Sequence, residues 1–367
     1  MTTEHEQPDF IIADDMSVID EDDAGDLDDT TDLDAVSKAR ARLSVDDLLG
    51  QLVRKANTIT TSDLFVLSDL TRAEMEQVQA RWNDIPVVQR RGLVKHLTAS
   101  INAYLELHLG RLLRIAVHDR DAQVQRLAIE GLWEDTGTDL IGVYVQILNQ
   151  GGDSAVRAAA AEALGSYVLA GELDELDAAL AMRAEQALLA IVHDQTEPLA
   201  VQCKALESIA YSSETGLHQL IEDAYYSPHG EMQISAVRAM GRSADVRWRK
   251  FVQSELSSSS PEMRAEAAKA CGELEVKSAT QELISLLDDD EHEVRLAAIE
   301  ALGHLGGKAA RDALRAIASG DDPDDAAKAE DALDEILVYE EAGSIALFDE
   351  DDEEQDDQWD DDPWERE

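Results

Sequence analysis

The sequence predicts an all-α chain whose body is an α-solenoid, a superhelix of about seven to eight stacked helix pairs. Three observations carry this expectation. Hydrophobic residues make up 44% of the 367 but aromatic ones only 4%, so a core must be built from Ala, Leu, Val and Ile, which suits closely packed helices better than a sheet sandwich. Short segments with apolar residues at helical spacing recur along the body. From Val201 onward their anchors, Val201, Met232, Met263, Val294 and Asp325, advance by 31 residues at each step, and a fixed period of this length belongs to units that bury their apolar stripes only by stacking.

Residues 1–37 come first, with fourteen acidic side chains and no Lys or Arg; residues 340–367 hold fifteen acids and only Arg366. Runs such as Asp20 to Asp23 and Asp349 to Glu354 repel themselves and bury little, so disordered acidic tails are expected at 1–37 and 341–367. The second tail carries Trp359 and Trp364, aromatic points through which such a segment can fold on a basic partner.

Residues 38–84 are expected to form a helical N-terminal cap. Thr71 and Glu74 have the spacing of a capping box ahead of Met75, Val78 and Trp82, and an irregular pair is expected at Ala73 to Trp82 and Val87 to Ala99. The solenoid then spans 85–340. Its second helices begin near Val124, Val156, Val201, Met232, Met263, Val294 and Asp325, with one expanded interval, from Val156 to Val201. Gly165, Gly241, Gly272 and Gly303 stand where a glycine would close each helix. Asp153 and Glu291 precede their helices as residues suited to a helix N-terminus, and Arg157, Arg264 and Arg295 each follow the anchor by one. These five are expected to form a structural ladder between repeats.

The pattern D/E-x-x-V-R-x-x-A-x-x-A-L-G, clearest at Val156 and Val294, resembles HEAT repeats, in particular the PBS-lyase-type HEAT-like units, and the chain is similar to bacterial HEAT-repeat proteins with acidic ends. The resemblance implies a helical scaffold. Units of this kind also occur in deoxyhypusine hydroxylase and in bilin lyases. The hydroxylase family needs four His-Glu pairs for two irons, whereas His292-Glu293 is the only such pair of the body and His5-Glu6 falls in the first tail. His118-Asp119 and His193-Asp194 fall in loops two repeats apart. Without a phosphate cradle, a nucleophile elbow, a CxxC pair or an HExxH motif, no catalytic, cofactor-binding or metal-ligating residue is assigned. A non-enzyme without cofactor is expected.

Charge narrows the partners. The net charge is −48 and the pI about 4.3, which argues against a main surface that grips nucleic acid or anionic lipid. The stretch 38–126 is mildly basic, with fourteen cations against ten acids; Arg90, Arg91, Lys95, Arg111 and Arg114 make it the place for an alternative, nucleic-acid-linked role in which the tails imitate phosphates. Neither a basic leader nor a long apolar run is present, so a cytoplasmic chain free of membrane is expected, and its charge favours a monomer. Cys203 and Cys271 read as core residues of a reducing compartment.

Departures from the repeat are where such stacks carry binding. Arg242, Arg247, Trp248, Arg249 and Lys250 place four cations and a tryptophan in the acidic half, and Arg and Trp are enriched at binding hot spots. Tyr225 and Tyr226 open an aromatic turn before Pro228, and Gly165 to Ala190 contains a fourteen-residue expansion. The expected function is a scaffold or adaptor. It would bind an unidentified, basic protein partner on the concave face of the second helices and near Arg242 to Lys250, with the tails recruiting that partner or masking the groove.

Overall fold

A computed structural model describes residues 43–54, 60–101 and 107–346. The expected tails, with Trp359 and Trp364, lie outside the described residues, apart from the end of the last helix. The chain divides at Leu132 and Trp133 into two compact units.

The first unit holds α1 (Val45–Val53), α2 (Thr61–Leu67), α3 (Arg72–Arg81), α4 (Val87–Ile101), α5 (Gly110–Ala116) and α6 (Ala122–Gly131). The capping box forms as its spacing predicts: Thr71 accepts from the Glu74 amide, and Glu74 accepts from that of Thr71 at 2.8 Å. Trp82 leaves the helix for a 3-10 turn, Trp82–Asp84, and is buried. Its indole N–H donates to Asp119 at 2.6 Å, and the fully buried Asp119 carboxylate pairs with Arg90 at 2.7 Å. Helix α4 packs on α6.

The second unit repeats one construction six times. Its helices are α7 (Asp139–Asn149), α8 (Ser154–Glu172), α9 (Ala178–His193), α10 (Leu199–Ile209), α11 (Leu217–Tyr225), α12 (Gly230–Arg242), α13 (Arg249–Glu255), α14 (Pro261–Glu273), α15 (Thr280–Leu286), α16 (His292–Leu305), α17 (Gly307–Ala318) and α18 (Pro323–Ala346). Each odd helix packs on the even helix that follows, and the even helices α8, α10, α12, α14, α16 and α18 pack side by side in chain order. The expansion lengthens both helices of its step, α8 to 19 residues and α9 to 16.

The glycines expected to close helices do not close them. Gly165, Gly241, Gly272 and Gly303 lie within their helices and avoid the positive-φ conformation. Their purpose is contact: a Cβ on Gly272 would stand 3.0 Å from the Cα of Ala301, one on Gly303 3.0 Å from the Cβ of Ala332, and one on Gly241 3.0 Å from the Cα of Ala270. Helices α12, α14 and α16 thus each press a bare backbone against an alanine of the next, and that alanine lies 31 residues after its predecessor, whereas Gly165 of α8 meets Ser208. The turn that does need glycine is Gly306-Gly307, whose φ angles of 59° and 82° let α17 start directly after α16.

Substituting Gly272 tests this packing against helix propensity. Alanine is the better helix former by about 1 kcal/mol, and Gly92→Ala, where the added methyl meets nothing within 4 Å, is expected to stabilise by about that amount. Gly272→Ala is expected to destabilise by about 1–3 kcal/mol, because the two helices must move apart. Denaturant unfolding of the two variants reads the opposite signs.

Candidate functional site

The loops that lead into the second helices are fastened by the residue that follows each anchor. Arg157 donates to the Leu148 carbonyl at 2.9 Å, Arg264 to that of Ser258 at 3.0 Å and Arg295 to that of Asp289 at 3.2 Å. Arg90 does the same to Ile85 at 2.6 Å. Each arginine then uses its remaining N–H groups on an acid of the following repeat. Arg157 binds Glu197 through two contacts of 2.5 and 2.7 Å, Arg264 binds Asp289 through two of 2.8 Å, and Arg295 pairs with Asp325 at 2.7 Å and Asp322 at 3.3 Å. Such two-pronged pairs fix geometry as well as adding energy. The acids expected in this ladder serve differently: Asp153 caps α8 by accepting from the amides of Ala155 and Val156, and Glu291 makes no side-chain cap.

At three steps the same position is glutamine. Gln125, Gln202 and Gln233 fasten their own loops to Val117, Glu197 and Ser227 at 2.8–2.9 Å, but a neutral amide on a shorter stem does not reach the next repeat as a guanidinium does. Two clefts of the second unit open along this edge. One, of about 430 Å³, is lined by His193, Gln202, Leu206, Asp223 and Tyr226; the other, of about 440 Å³, by Tyr225, Tyr226, Gln233, Ile234, Glu255 and Met263. Tyr226 stands between them, 67% exposed.

Tyr225, Tyr226 and Trp248 meet here through Phe251. Tyr225 packs edge-on against Tyr226 at 5.1 Å and against Phe251 at 5.7 Å, and Phe251 packs against Trp248 at 5.4 Å. A lone phenylalanine in a polar helix carries no signal that would single it out. Burial, then the Glu255 carboxylate that accepts from its hydroxyl at 2.5 Å, pushes Tyr225 up to about 12. Trp248 is 3% exposed: its ring fills the core of its own repeat, in contrast to the displayed ring expected at a hot spot. Arg249 donates to the Leu274 carbonyl at 2.9 Å, and Arg242 donates to the Glu207 carbonyl at 3.1 Å while lying 5.3 Å over the ring of Tyr211. Arg247, 53% exposed at its side chain, pairs locally with Asp245, and Lys250 is exposed. Of this basic cluster, Arg247, Arg249 and Lys250 are exposed, Arg249 with its Nε engaged by the Leu274 carbonyl.

The face of the second helices is a chain of alternating charge. Lys204 bridges Glu162 at 3.0 Å and Glu207 at 3.1 Å; Arg238 bridges Glu207 at 2.9 Å and Glu266 at 2.6 Å. Burial pushes the Glu207 carboxyl up, but the charges of Arg238 and Lys204 and the hydrogen bonds from Ser235 and Arg238 outweigh it and hold the group below the usual carboxylate range. Glu273 has no such cation in contact, and burial raises it to about 7 from 4.5 although Arg242 opposes the rise. Arg91 and Arg111 of the first unit are similarly engaged, like Arg90. Arg91 binds Asp121 at 2.6 and 2.9 Å, and Arg111 donates to the Leu70 carbonyl at 2.7 Å.

Glu273 gives a pH signature. A carboxyl raised on folding keeps a proton that the unfolded chain releases, so stability falls as pH rises from about 4.5 to 7 and is level on either side. Glu273→Gln is expected to flatten the melting temperature across that window and to leave it unchanged below it. Melting curves of both proteins from pH 4 to 8 read the difference.

Among the described residues, no helix is long and apolar enough to cross a membrane. The two cysteines are buried free thiols, and burial pushes that of Cys271 to about 12. None of the curated proteins matches the chain. Solved structures similar to it include importin beta, with 12% identity over 86% of this chain and 49% of that one at a TM-score of 0.41. Human deoxyhypusine hydroxylase in complex with glycerol gives 15% identity, 84% and 99% coverage and a TM-score of 0.33. A designed armadillo repeat protein gives 20% identity, 53% and 98% coverage and a TM-score of 0.33. A family profile described as HEAT repeats matches residues 249–334, the stretch from α13 into α18 in which the 31-residue step, the alanine contacts and the arginine rungs coincide. Residues 249–334 are thus a stretch of HEAT repeats.

Proposed function

We propose that the chain is a non-enzymatic interaction scaffold that takes a segment of a protein partner along the loop edge at Tyr226. The carrying observation is a tyrosine left 67% exposed between two clefts of about 430 and 440 Å³. A bare aromatic ring flanked by recesses suits a peptide whose side chains drop to either side of it, and tyrosine supplies large contact area at small entropic cost. Arg247 and Lys250 offer further contacts. In this reading the acidic segments 1–37 and 341–367, with Trp359 and Trp364, recruit a basic partner or mask the edge until one displaces them, in a cytoplasmic setting. The second-helix face contributes less, because its charges are paired with one another. The same engagement of Arg90, Arg91 and Arg111 leaves a nucleic-acid role for the first unit without an observation in its favour.

The test is photo-crosslinking from position 226 in native cell extract, with mass spectrometry of the product and affinity measurement on the partner it identifies. Tyr226→Ala is expected to weaken that complex by about 2 kcal/mol, a hot-spot loss, with helical content unchanged. Trp248→Ala is expected to act through stability, costing about 3–5 kcal/mol. A Tyr226→Ala protein that binds as tightly as the parent would falsify the docking edge.

A further inference from the structure

The two clefts beside Tyr226 differ in what they can hold. The one of about 430 Å³ has an aliphatic wall of Val192, Leu206, Leu220 and Met232, and its carboxylate, Asp223, is exposed and accepts from Gln219 at 2.9 Å. The one of about 440 Å³ is lined by the two tyrosines, by Ile234 and Met263, by a run of serines and by the carboxylate of Glu255. No Lys or Arg lines either cleft.

Glu255 is the acid of this edge whose charge is left over. It closes α13 and is half-buried. Its Oε1 accepts from the Tyr225 hydroxyl at 2.5 Å, and among the described residues no cation pairs with it. Other shielded acids of the second unit do hold cations: Glu207 takes Lys204 and Arg238, and Asp289 takes Arg264. A carboxylate kept partly from water without a counter-charge raises the free energy of the empty cleft, and an incoming cation offsets that cost. The phenol fixes the plane of the carboxylate, so Oε2 is set in place before a ligand arrives.

The surroundings favour the same ligand. The rings of Tyr225 and Tyr226 stand at 73° with centroids 5.1 Å apart, and an aromatic face attracts an ammonium or guanidinium beyond what the carboxylate supplies. The amino ends of α12 and α14 adjoin this cleft and would repel a cation, but each carries a glutamate in its first turn, Glu231 and Glu262.

We propose that the edge at Tyr226 reads a basic linear segment, with a Lys or Arg side chain set into the cleft at Glu255 and an aliphatic side chain in the cleft of Leu206 and Met232. The inference rests on the docking edge at Tyr226 and adds the chemistry of what docks. The test is selection of a phage-displayed random-peptide library on the full chain, with soluble Tyr226→Ala protein as competitor. The competitor removes peptides held by diffuse charge, since that substitution leaves the net charge of −48 unaltered. Enriched peptides are expected to share a basic residue with an aliphatic one close by. Norleucine in place of the basic residue is expected to weaken a synthetic peptide about tenfold, the loss of one charge-assisted contact. Glu255→Gln, which keeps an acceptor for the Tyr225 hydroxyl, is expected to weaken the parent peptide to the same degree and to make the norleucine change nearly silent. If no Tyr226-dependent peptide emerges, the docking edge itself is wrong and this inference falls with it. If such peptides share no basic residue with an aliphatic neighbour, or norleucine costs as much in Glu255→Gln as in the parent, the edge stands and the assignment of its occupant is overturned.

Discussion

Everything in the second unit depends on how closely the even-numbered helices approach. A helix pair cannot bury its apolar stripe alone, so the stack exists only if each second helix finds the next. With few aromatic rings available, the chain closes that distance by removing side-chain volume: the bare backbones of Gly241, Gly272 and Gly303 lie against Ala270, Ala301 and Ala332. Dispersion between backbones replaces the filling a phenylalanine would give. From α12 to α18 the constraint also fixes the repeat length, because glycine and alanine must return in register at each of those steps.

Once that spacing is set, polar side chains can reach across it. At the six anchors from Val124 to Val294 the following position secures its own loop, and only arginine extends to the following repeat. Charge is therefore spent in two separate rows, one along the loops and one across the helix faces from Glu162 to Glu266. Pairing of this kind disposes of many cations that look free in a linear reading, Arg90 and Arg242 among them.

Much of this was legible from residue spacing. The period, the helix pairs, the capping box at Thr71 and the arginines at Arg157, Arg264 and Arg295 all announce themselves, because each acts over one helical turn or recurs with the repeat. What escaped acts at long range or has two meanings. Glycine near the end of a helix signals termination as readily as close contact, and only the neighbouring helix decides between them. Gln202 and Gln233 hide their equivalence to arginine because they share half of its work. Trp248 combines with cations in sequence as a hot spot does, yet the 3-10 turn at Val246–Trp248 rotates it into the core, while Tyr226, less conspicuous, is the ring that remains outside.

The alternation of arginine and glutamine makes the stack unevenly stiff. Where an arginine spans two repeats, bending the edge open stretches two charge-assisted bonds at once. At Gln202 and Gln233 no guanidinium spans the joint, the second being crossed instead by the single Tyr225–Glu255 hydrogen bond, and those are two consecutive joints with Tyr226 between them. The second unit is thus two braced segments joined by a compliant pair of vertebrae, and strain applied at either end concentrates at the tyrosine.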